Sequence, residues 1–404
     1  MSKLINVVIP IAGRAQRFID CGYLTPKPLI LVDGVPMIKL AIDSLIKNRD
    51  KSSFKLIFIV RDDHCVNYHI NIALLNLFEG WNIEVISIDG ITNGTLCTCM
   101  LAESVIDLDM PLVVYTPDVC FDSDFSIIDD FVAFNALDGL VLTFKANSPD
   151  HSYAASDSSL LVTKTAEKKV ISNDAIVGVY CFRSGAQFLK YANLMVDNNI
   201  TTNGEFYVAP IYNLMIQDTP RASIGIYRID RMYVLGTPED LKFYEFYVAR
   251  NAEITTLAIC CDHSGYDLKL QIISYIKNNL PNIKVLDFGC HTRNDSDHYD
   301  SLRPCAEYIL NHSNTIGIGI CHTGQGFNIA ANKVSHIRSA LVHDAHTAAM
   351  CRKHNAANFV CIPSMYVSID YFGLIINSII NSQFDGGRHS TRIQKLLRDD
   401  FFGD

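Results

Sequence analysis

The chain has 404 residues, 49% of them hydrophobic and 19% charged, with a formal net charge of −9. That length allows two or three domains with cores of their own, and an acidic balance without a basic run argues against a nucleic-acid partner. The thirteen cysteines are scattered and no secretory apolar region precedes them, which points to reduced thiols in the cytoplasm. Neither Cys97/Cys99 nor Cys260/Cys261 has a second pair at zinc spacing, so no structural zinc is expected. No apolar run is long and charge-free enough to span a bilayer, so no membrane partner is expected.

In chain order, Leu4 to Ile11 (LINVVIPI) is a short apolar run ended by a turn, the pattern of a buried parallel strand. It leads into Ala12-Gly13-Arg14-Ala15-Gln16-Arg17-Phe18. Small residues after a first strand let the backbone approach phosphates, and two arginines can neutralise them. Pro26-Lys27-Pro28-Leu29 follows, where flanking prolines fix the backbone of Lys27 and keep its cation aimed. Phe54 to Val60, Ile83 to Ile88 and Leu112 to Tyr115 read as further strands, and Thr92-Asn93-Gly94-Thr95 opens a helix. Asp118 stands just past a strand's C-terminal end, a place suited to a Mg²⁺-triphosphate. Glu167-Lys168 precedes the strand Ile176 to Phe182; Asn203-Gly204-Glu205-Phe206-Tyr207 and Gly236-Thr237 come later. Pro238 to Ala252 has helical spacing with acidic residues at its start, which predicts the last helix of a first domain.

These residues resemble the sugar nucleotidyltransferase (NDP-sugar pyrophosphorylase) family, which opens with a strand, G-x-G-[TS]-R-[LF] and a P-K-P-L element. Gly13, Arg17, Phe18 and Lys27 match, and Ala15 stands where the family has glycine. The resemblance implies a Rossmann-like mixed sheet over residues 1–250. It implies an NTP held by Ala12, Gly13, Arg14, Gly94 and Thr95, with Arg17 and Lys27 as catalytic cations. It also implies Mg²⁺ on Asp118 and a phosphosugar at Glu167, Lys168 and Glu205. Val234 occupies the place of a second metal-binding aspartate, so either Asp230 or Glu205 takes over or one carboxylate suffices. The implied reaction is attack of a sugar phosphate on the α-phosphorus with release of pyrophosphate, which needs charge neutralisation more than a side-chain nucleophile. A glycosyltransferase sharing the sheet is the rival reading. Such enzymes use a D-x-D motif, and Val119 and Cys120 follow Asp118 here.

In the second half, Leu257 to Cys261 is an apolar strand followed by Asp262-His263-Ser264-Gly265. A helix from Tyr266 to Leu280, a strand from Val285 to Phe288, and a polar loop with Asp297 and His298 come next. The run Ile316 to Ile320 stops at Cys321; Thr323, Gly324, Gly326 and Asn328 follow, then a helical segment from Ile329 to Val334. A strand that turns on glycines into a helix presents backbone N–H groups to an anion or oxyanion. A thiol at that strand's end is a candidate base or nucleophile. Ser339 to His343 and Phe359 to Ile362 read as strands around a helix that ends at His354-Asn355, and the tail holds Gly386-Gly387-Arg388-His389 and Arg392. Strands alternating with helices predict a doubly wound parallel sheet in an α/β domain.

This half resembles the ribose-5-phosphate isomerase B / galactose-6-phosphate isomerase family through D-H, C-x-T-G-x-G with I-A-A-N-K, R-x-H-N and G-G-R-H-x-x-R. The resemblance implies an isomerase domain over residues 256–400. Cys321 would be the base that moves a proton between C1 and C2 through an enediolate, stabilised by the amides from Thr323 through Gly324 to Gly326. His354 would open the sugar ring, Asp262 and Asn355 would hold hydroxyls, and Arg388 and Arg392, with His263, would hold the phosphate. The family's site is shared between two subunits, which implies a homodimer. His322 replaces a glycine, and Asp297-His298-Tyr299 replaces D-Y-P. That indicates either a sugar phosphate other than ribose 5-phosphate or a weakened isomerase. The expectation for the whole chain is a bifunctional enzyme that supplies polysaccharide precursors, its nucleotide and its sugar or polyol phosphate left open. The alternative for this half is a non-catalytic sugar-phosphate sensor.

Overall fold

The computed structural model describes residues 4–398 apart from 33, 47–48, 123–130, 132–135, 230, 246–252 and 313. The chain divides into two compact units, Met1–Leu241 and Lys242–Asp404. The break falls inside the helix expected from Pro238; that helix runs Pro238–Phe243. Thr237 and Asp240 start it by exchanging N–H bonds with each other's side chains (3.0 and 3.1 Å). Leu241 is buried, whereas Phe243 packs edge-on against Phe384 of the second unit. Among the described residues no helix is long and apolar enough to cross a membrane.

The first unit is built on a nine-stranded mixed sheet. Its strands are β1 (Ile5–Pro10), β2 (Phe54–Arg61), β3 (Asn82–Ile88), β4 (Leu112–Tyr115), β5 (Gly139–Lys145), β6 (Tyr153–Ser156), β7 (Val162–Ala166), β8 (Asp174–Phe182) and β9 (Ile224–Arg228). The order is β7-β6-β8-β4-β1-β2-β3, with β5 also on β8 and β9 on β5. β1 pairs in parallel with β2 and β4, and β8 runs antiparallel to β4. Val7 and Ile9 enter one core and Val8 the other, so β1 is buried on both faces, as its unbroken apolar run requires.

The second unit has five parallel strands: β10 (Thr256–Cys261), β11 (Lys284–Asp287), β12 (Thr315–Cys321), β13 (Ser339–Leu341) and β14 (Phe359–Pro363), in the order β11-β10-β12-β14-β13. Helices α1 (Tyr266–Asn279), α2 (His298–Asn311), α3 (Gln325–Ala331), α4 (Ala345–Asn355), α5 (Ile369–Asn381) and α6 (Arg388–Arg398) complete it. Ile316, Ile318 and Ile320 fill one core. On the other face of β12, Gly317 and Gly319 leave the space that the rings of Phe359 and Phe327 occupy.

Two local expectations are corrected. The helix after Cys321 begins at Gln325, not Ile329. His298 and Tyr299 lie in the first turn of α2 instead of a loop, because the Asp297 carboxylate accepts the Tyr299 N–H (2.9 Å) and starts a helix there. Arg388, His389 and Arg392, placed in the tail without a secondary-structure expectation, lie in α6.

Candidate active sites

In the first unit a cavity of about 370 Å³ opens where β1 and β4 end. Its wall contains Ala12, Gly13, Lys27, Gly94, Thr95, Asp118 and Glu205, so seven of the expected residues meet there. Gly94 has φ +122°, and a Cβ on it would lie 2.4 Å from the Phe206 carbonyl. Only glycine fits that approach. The Leu96 N–H donates to the Phe206 carbonyl (3.0 Å) and the Phe206 N–H to the Asn93 carbonyl (2.9 Å), which ties the 92–95 turn to the segment that carries Glu205. Lys27 sits in a short 3₁₀ turn after Pro26. Its ammonium donates to Asp118 (2.6 Å) and lies 5.4 Å from the centre of the Phe18 ring. The Asp118 side chain is 62% exposed, so this pair is held by ~1 kcal/mol or less and opens readily to a charged ligand.

Other expected residues stand apart. Arg14 and Arg17 are exposed and are not part of the cavity wall. Lys168 donates to the Tyr207 hydroxyl (2.7 Å), which donates to Glu205, so this lysine reaches the cavity edge through two partners. The hydrogen bond to Tyr207, then the nearby carboxylates, hold the Lys168 ammonium above its ordinary pKa. Burial raises the Glu167 carboxyl, although Ser152 donates to it. Tyr207, read from sequence only as part of the 203–207 stretch, is the link between Lys168 and Glu205; the Thr92–Thr98 hydroxyl pair (2.6 Å) was not expected from sequence, since a single threonine carries no motif.

A hard divalent cation takes few protein carboxylates when phosphates complete its shell. Asp118 and Glu205 in one wall fit that description. Val234 pairs with Val119, beside Asp118, and brings a hydrocarbon where a second carboxylate was sought. Asp230 lies outside the described residues.

In the second unit the expected residues form two groups at opposite ends of one sheet. At the C-terminal ends of the strands, the Asp262 Oδ1 accepts from the Ser264 N–H (2.9 Å), the Ser264 hydroxyl (2.6 Å) and the Gly265 N–H (3.1 Å). His263 Nδ1 accepts the Ser296 N–H (3.3 Å). Cys321 ends β12 and is buried on the face covered by α2 and α3, with Phe327 and Leu302 in the same core. Its carbonyl accepts the Ser364 N–H (2.9 Å). Thr323 and Gly324 make the turn; Gly324 has φ +73°, and a Cβ there would strike Leu341 at 2.4 Å. His298, singled out only as a departure, places its ring about the open side of Gly326, 3.6 Å from where a Cβ would stand.

The other group lies at the strands' N-terminal ends. His354 and Asn355 close α4, before β14 begins. The His354 and His389 rings stack with centroids 4.3 Å apart. The Asp385 N–H donates to the Lys353 carbonyl (2.9 Å), and the Arg388 Nε donates to His389 Nε2 (3.4 Å). Burial, then the neighbouring His354, Arg388 and Arg392, lower the pKa of His389, with Asp385 opposing. Within one chain the structure therefore joins His354, Asn355 and the arginines, and separately Asp262, His263, Cys321 and the Thr323–Gly326 turn.

A sequence profile described as ribose/galactose isomerase matches residues 257–396. A protein described as a probable ribose-5-phosphate isomerase B from Mycoplasma pneumoniae is 36% identical over 140 residues, 34% of this chain and 91% of that one. The ribose-5-phosphate isomerase B of Escherichia coli is 32% identical over 142 residues, 35% of this chain and 93% of its own. Through this part the chain belongs to the ribose/galactose isomerase family. The solved nucleoside-diphosphate-sugar pyrophosphorylase of Vibrio cholerae RC9 superposes with a TM-score of 0.50 at 23% identity, over 59% of this chain and 99% of that one. That likeness is one of fold. The chain thus joins a sugar-phosphate isomerase domain to a unit with a nucleotidyltransferase-like fold.

Proposed function

We propose that the protein is a bifunctional cytoplasmic enzyme. Its second unit interconverts an aldose and a ketose phosphate, and its first unit transfers a nucleotidyl group to a sugar or polyol phosphate with release of pyrophosphate. The observation that carries the isomerase reading is a buried thiol, Cys321, at the end of β12 beside the Thr323–Gly326 turn. Cys321 takes the proton from one carbon and returns it to the next, and the turn's amides face the enediolate oxygens. Asp262 holds a sugar hydroxyl. His354 opens the ring, Asn355 holds a further hydroxyl, and Arg388 and Arg392 grip the phosphate away from the reacting carbons. Because β12 and β14 put these two groups at opposite sheet ends, the working site is built between two copies of the chain as a homodimer.

In the first unit the substrate phosphates lie over Ala12 and Gly13, with the base at Gly94 and Thr95. Lys27 leaves Asp118 for the phosphates, Arg14 and Arg17 approach from the rim, and Lys168, Glu167 and Glu205 orient the acceptor. Asp118 would hold Mg²⁺, whose charge offsets that of the phosphates. Supply of precursors for a surface polysaccharide accounts for the pairing of the two reactions.

The test is a grid of four NTPs against pentose, hexose and polyol phosphates, read as pyrophosphate, with aldose–ketose interconversion read in parallel. Wild type should interconvert one phosphosugar and Cys321→Ala should not. Pyrophosphate that depends on Cys321 places the two reactions in series; pyrophosphate indifferent to it places them on separate substrates. Unchanged isomerisation in Cys321→Ala would sink the assignment of the base and leave a sensor. Free nucleoside diphosphate in place of pyrophosphate would favour a glycosyltransferase.

A further inference from the structure

Two thiols that the proposed reaction does not use lie against each other in the second unit. Cys261 ends β10, directly before Asp262, and Cys290 follows β11. Their sulfurs are 3.5 Å apart. The Cys261 N–H donates to the Gly289 carbonyl (2.7 Å), and the Cys290 N–H donates to the Cys261 carbonyl (2.8 Å), so the two backbones are hydrogen-bonded to each other just past the last β10–β11 pair, Ile259 with Asp287. The segment is also held in place. Wholly buried Lys269 donates to both Asp287 oxygens (2.7 and 2.9 Å) and to the Cys290 carbonyl (2.6 Å), and the Gly289 N–H donates to Asp287 (3.0 Å). Cys261 is buried, whereas Cys290 is only half-buried and open to a small reagent.

We propose that Cys261 and Cys290 form a reversible disulfide, a redox-modification site built into the wall beneath Asp262. The oxidant is a hydroperoxide. The Cys290 thiolate attacks the peroxide oxygen, the O–O bond breaks, and an alkoxide or hydroxide leaves, giving a sulfenic acid. The Cys261 thiol then attacks that sulfur; the S–S bond forms, the S–O bond breaks, and water leaves with the thiol proton. Two thiols lose two electrons and two protons, and the peroxide takes both. Burial raises the Cys261 thiol pKa and the Lys269 ammonium lowers it to a smaller extent. The sulfurs must close from 3.5 Å to ~2.05 Å, which draws the end of β10 towards β11 and moves Asp262 with it.

The test uses the full reduced chain. It is treated with hydrogen peroxide, capped with N-ethylmaleimide, digested without reductant and read by mass. The expected product is the 261 peptide joined to the 290 peptide, two hydrogens lighter than the separate pair, and separated again by dithiothreitol. Cys290→Ser abolishes it and Cys97→Ser leaves it. Cys290 oxidised to a sulfinic acid while Cys261 remains open to capping under denaturant overturns the proposal, as does a product unchanged by Cys290→Ser. A second arm rests on the isomerase reading: turnover falls several-fold on oxidation, recovers with dithiothreitol, and does not fall in Cys290→Ser. A bridge without that fall overturns the coupling to the site. A reduced enzyme inactive on every phosphosugar sinks the isomerase reading, and the bridge is then judged by mass alone.

Discussion

Cys321→Ala and His354→Ala should each be inactive as isomerases, and mixed dimers of the two should work. Cys321 pairs with Pro363 and Gly317 with Phe359. Four residues at ~3.3 Å put ~13 Å along the strands between Cys321 and the start of β14, and α4 delivers His354 before that start. A base and a ring-opening acid must each come within ~3 Å of one substrate, which two groups so placed on one chain do not achieve. Each single change should lower turnover ~10²-fold or more. When the two inactive chains assemble at random, about half of the dimers are mixed and each keeps one intact site of two, so about a quarter of wild-type activity should return. Differently tagged chains, co-expressed and purified through both tags, isolate the mixed dimer, which should reach about half of wild type. The assay is aldose–ketose interconversion. Mixed dimers that remain as inactive as the parents would refute the divided site, as would full activity in His354→Ala alone.

Ala15→Gly should stabilise the first unit. Ala15 has φ 52°; a Cβ there costs ~1–2 kcal/mol, while glycine's extra unfolded freedom costs ~0.5–1, so denaturant unfolding should show a gain of ~0.5–1 kcal/mol, and a loss of that size would refute the strain. Lys269→Met strands Asp287, which is 31% exposed; because that carboxylate keeps some water, the cost should fall at the low end of the ~3–5 kcal/mol range for a broken buried pair. A change below ~1 kcal/mol in the same measurement would mean that solvent replaces the lysine. The folded pKa of His389 is lowered, so the unfolded chain takes up that proton first as pH falls through ~6.5. Stability should drop below that pH, and the drop should be smaller in His389→Gln; equal slopes in paired thermal melts would count against it.

Five strands of the first sheet, all five of the second and the glycine turns were legible because apolar runs and forced backbone conformations are local properties, whereas the strands at 139–145, 153–156, 162–166 and 224–228 were not read from sequence. Thr92 to Thr95, and Cys321 to Gly326, could be placed at strand-to-helix turns from residue type alone. Helix starts were harder. Gln325 to Asn328 is glycine-bearing and, apart from Phe327, polar, yet it is helical because Gly324 supplies the left-handed cap and the Asn328 N–H returns to its carbonyl (3.1 Å). Asp297 carried a cap signal that its polar surroundings masked. The depth of Lys269, and the distance between Cys321 and His354, are set by β-strand order and helix direction. Periodicity reports neither, since it fixes which face a residue takes and not which end of the sheet it reaches. The Ala15 departure reads in sequence as a small residue kept small; its positive φ is visible only once the turn is built.

The chemistry proposed for the two units sets a condition on how they can share a substrate. Aldose–ketose isomerisation rearranges C1 and C2 and leaves the terminal phosphate ester untouched. Nucleotidyl transfer needs that phosphate as the nucleophile, so the isomerase product already carries the attacking group. The acceptor in a direct series is then a terminal phosphate on an open-chain ketose, not an anomeric phosphate; with a reductase between the two units it is the terminal phosphate of the corresponding polyol. Such an acceptor offers hydroxyls and no ring face. The Lys168–Tyr207–Glu205 chain, which presents an ammonium, a phenol and a carboxylate in hydrogen-bonded sequence, suits hydroxyl recognition of that kind. Tyr207→Phe separates the cases: a series acceptor should lose affinity as its hydroxyl partner disappears, with KM rising more than kcat falls. An acceptor bound through the phosphate on Lys168 would keep its KM once that lysine is freed. Equal KM values in wild type and Tyr207→Phe would therefore turn the argument towards an anomeric phosphate and an intervening enzyme.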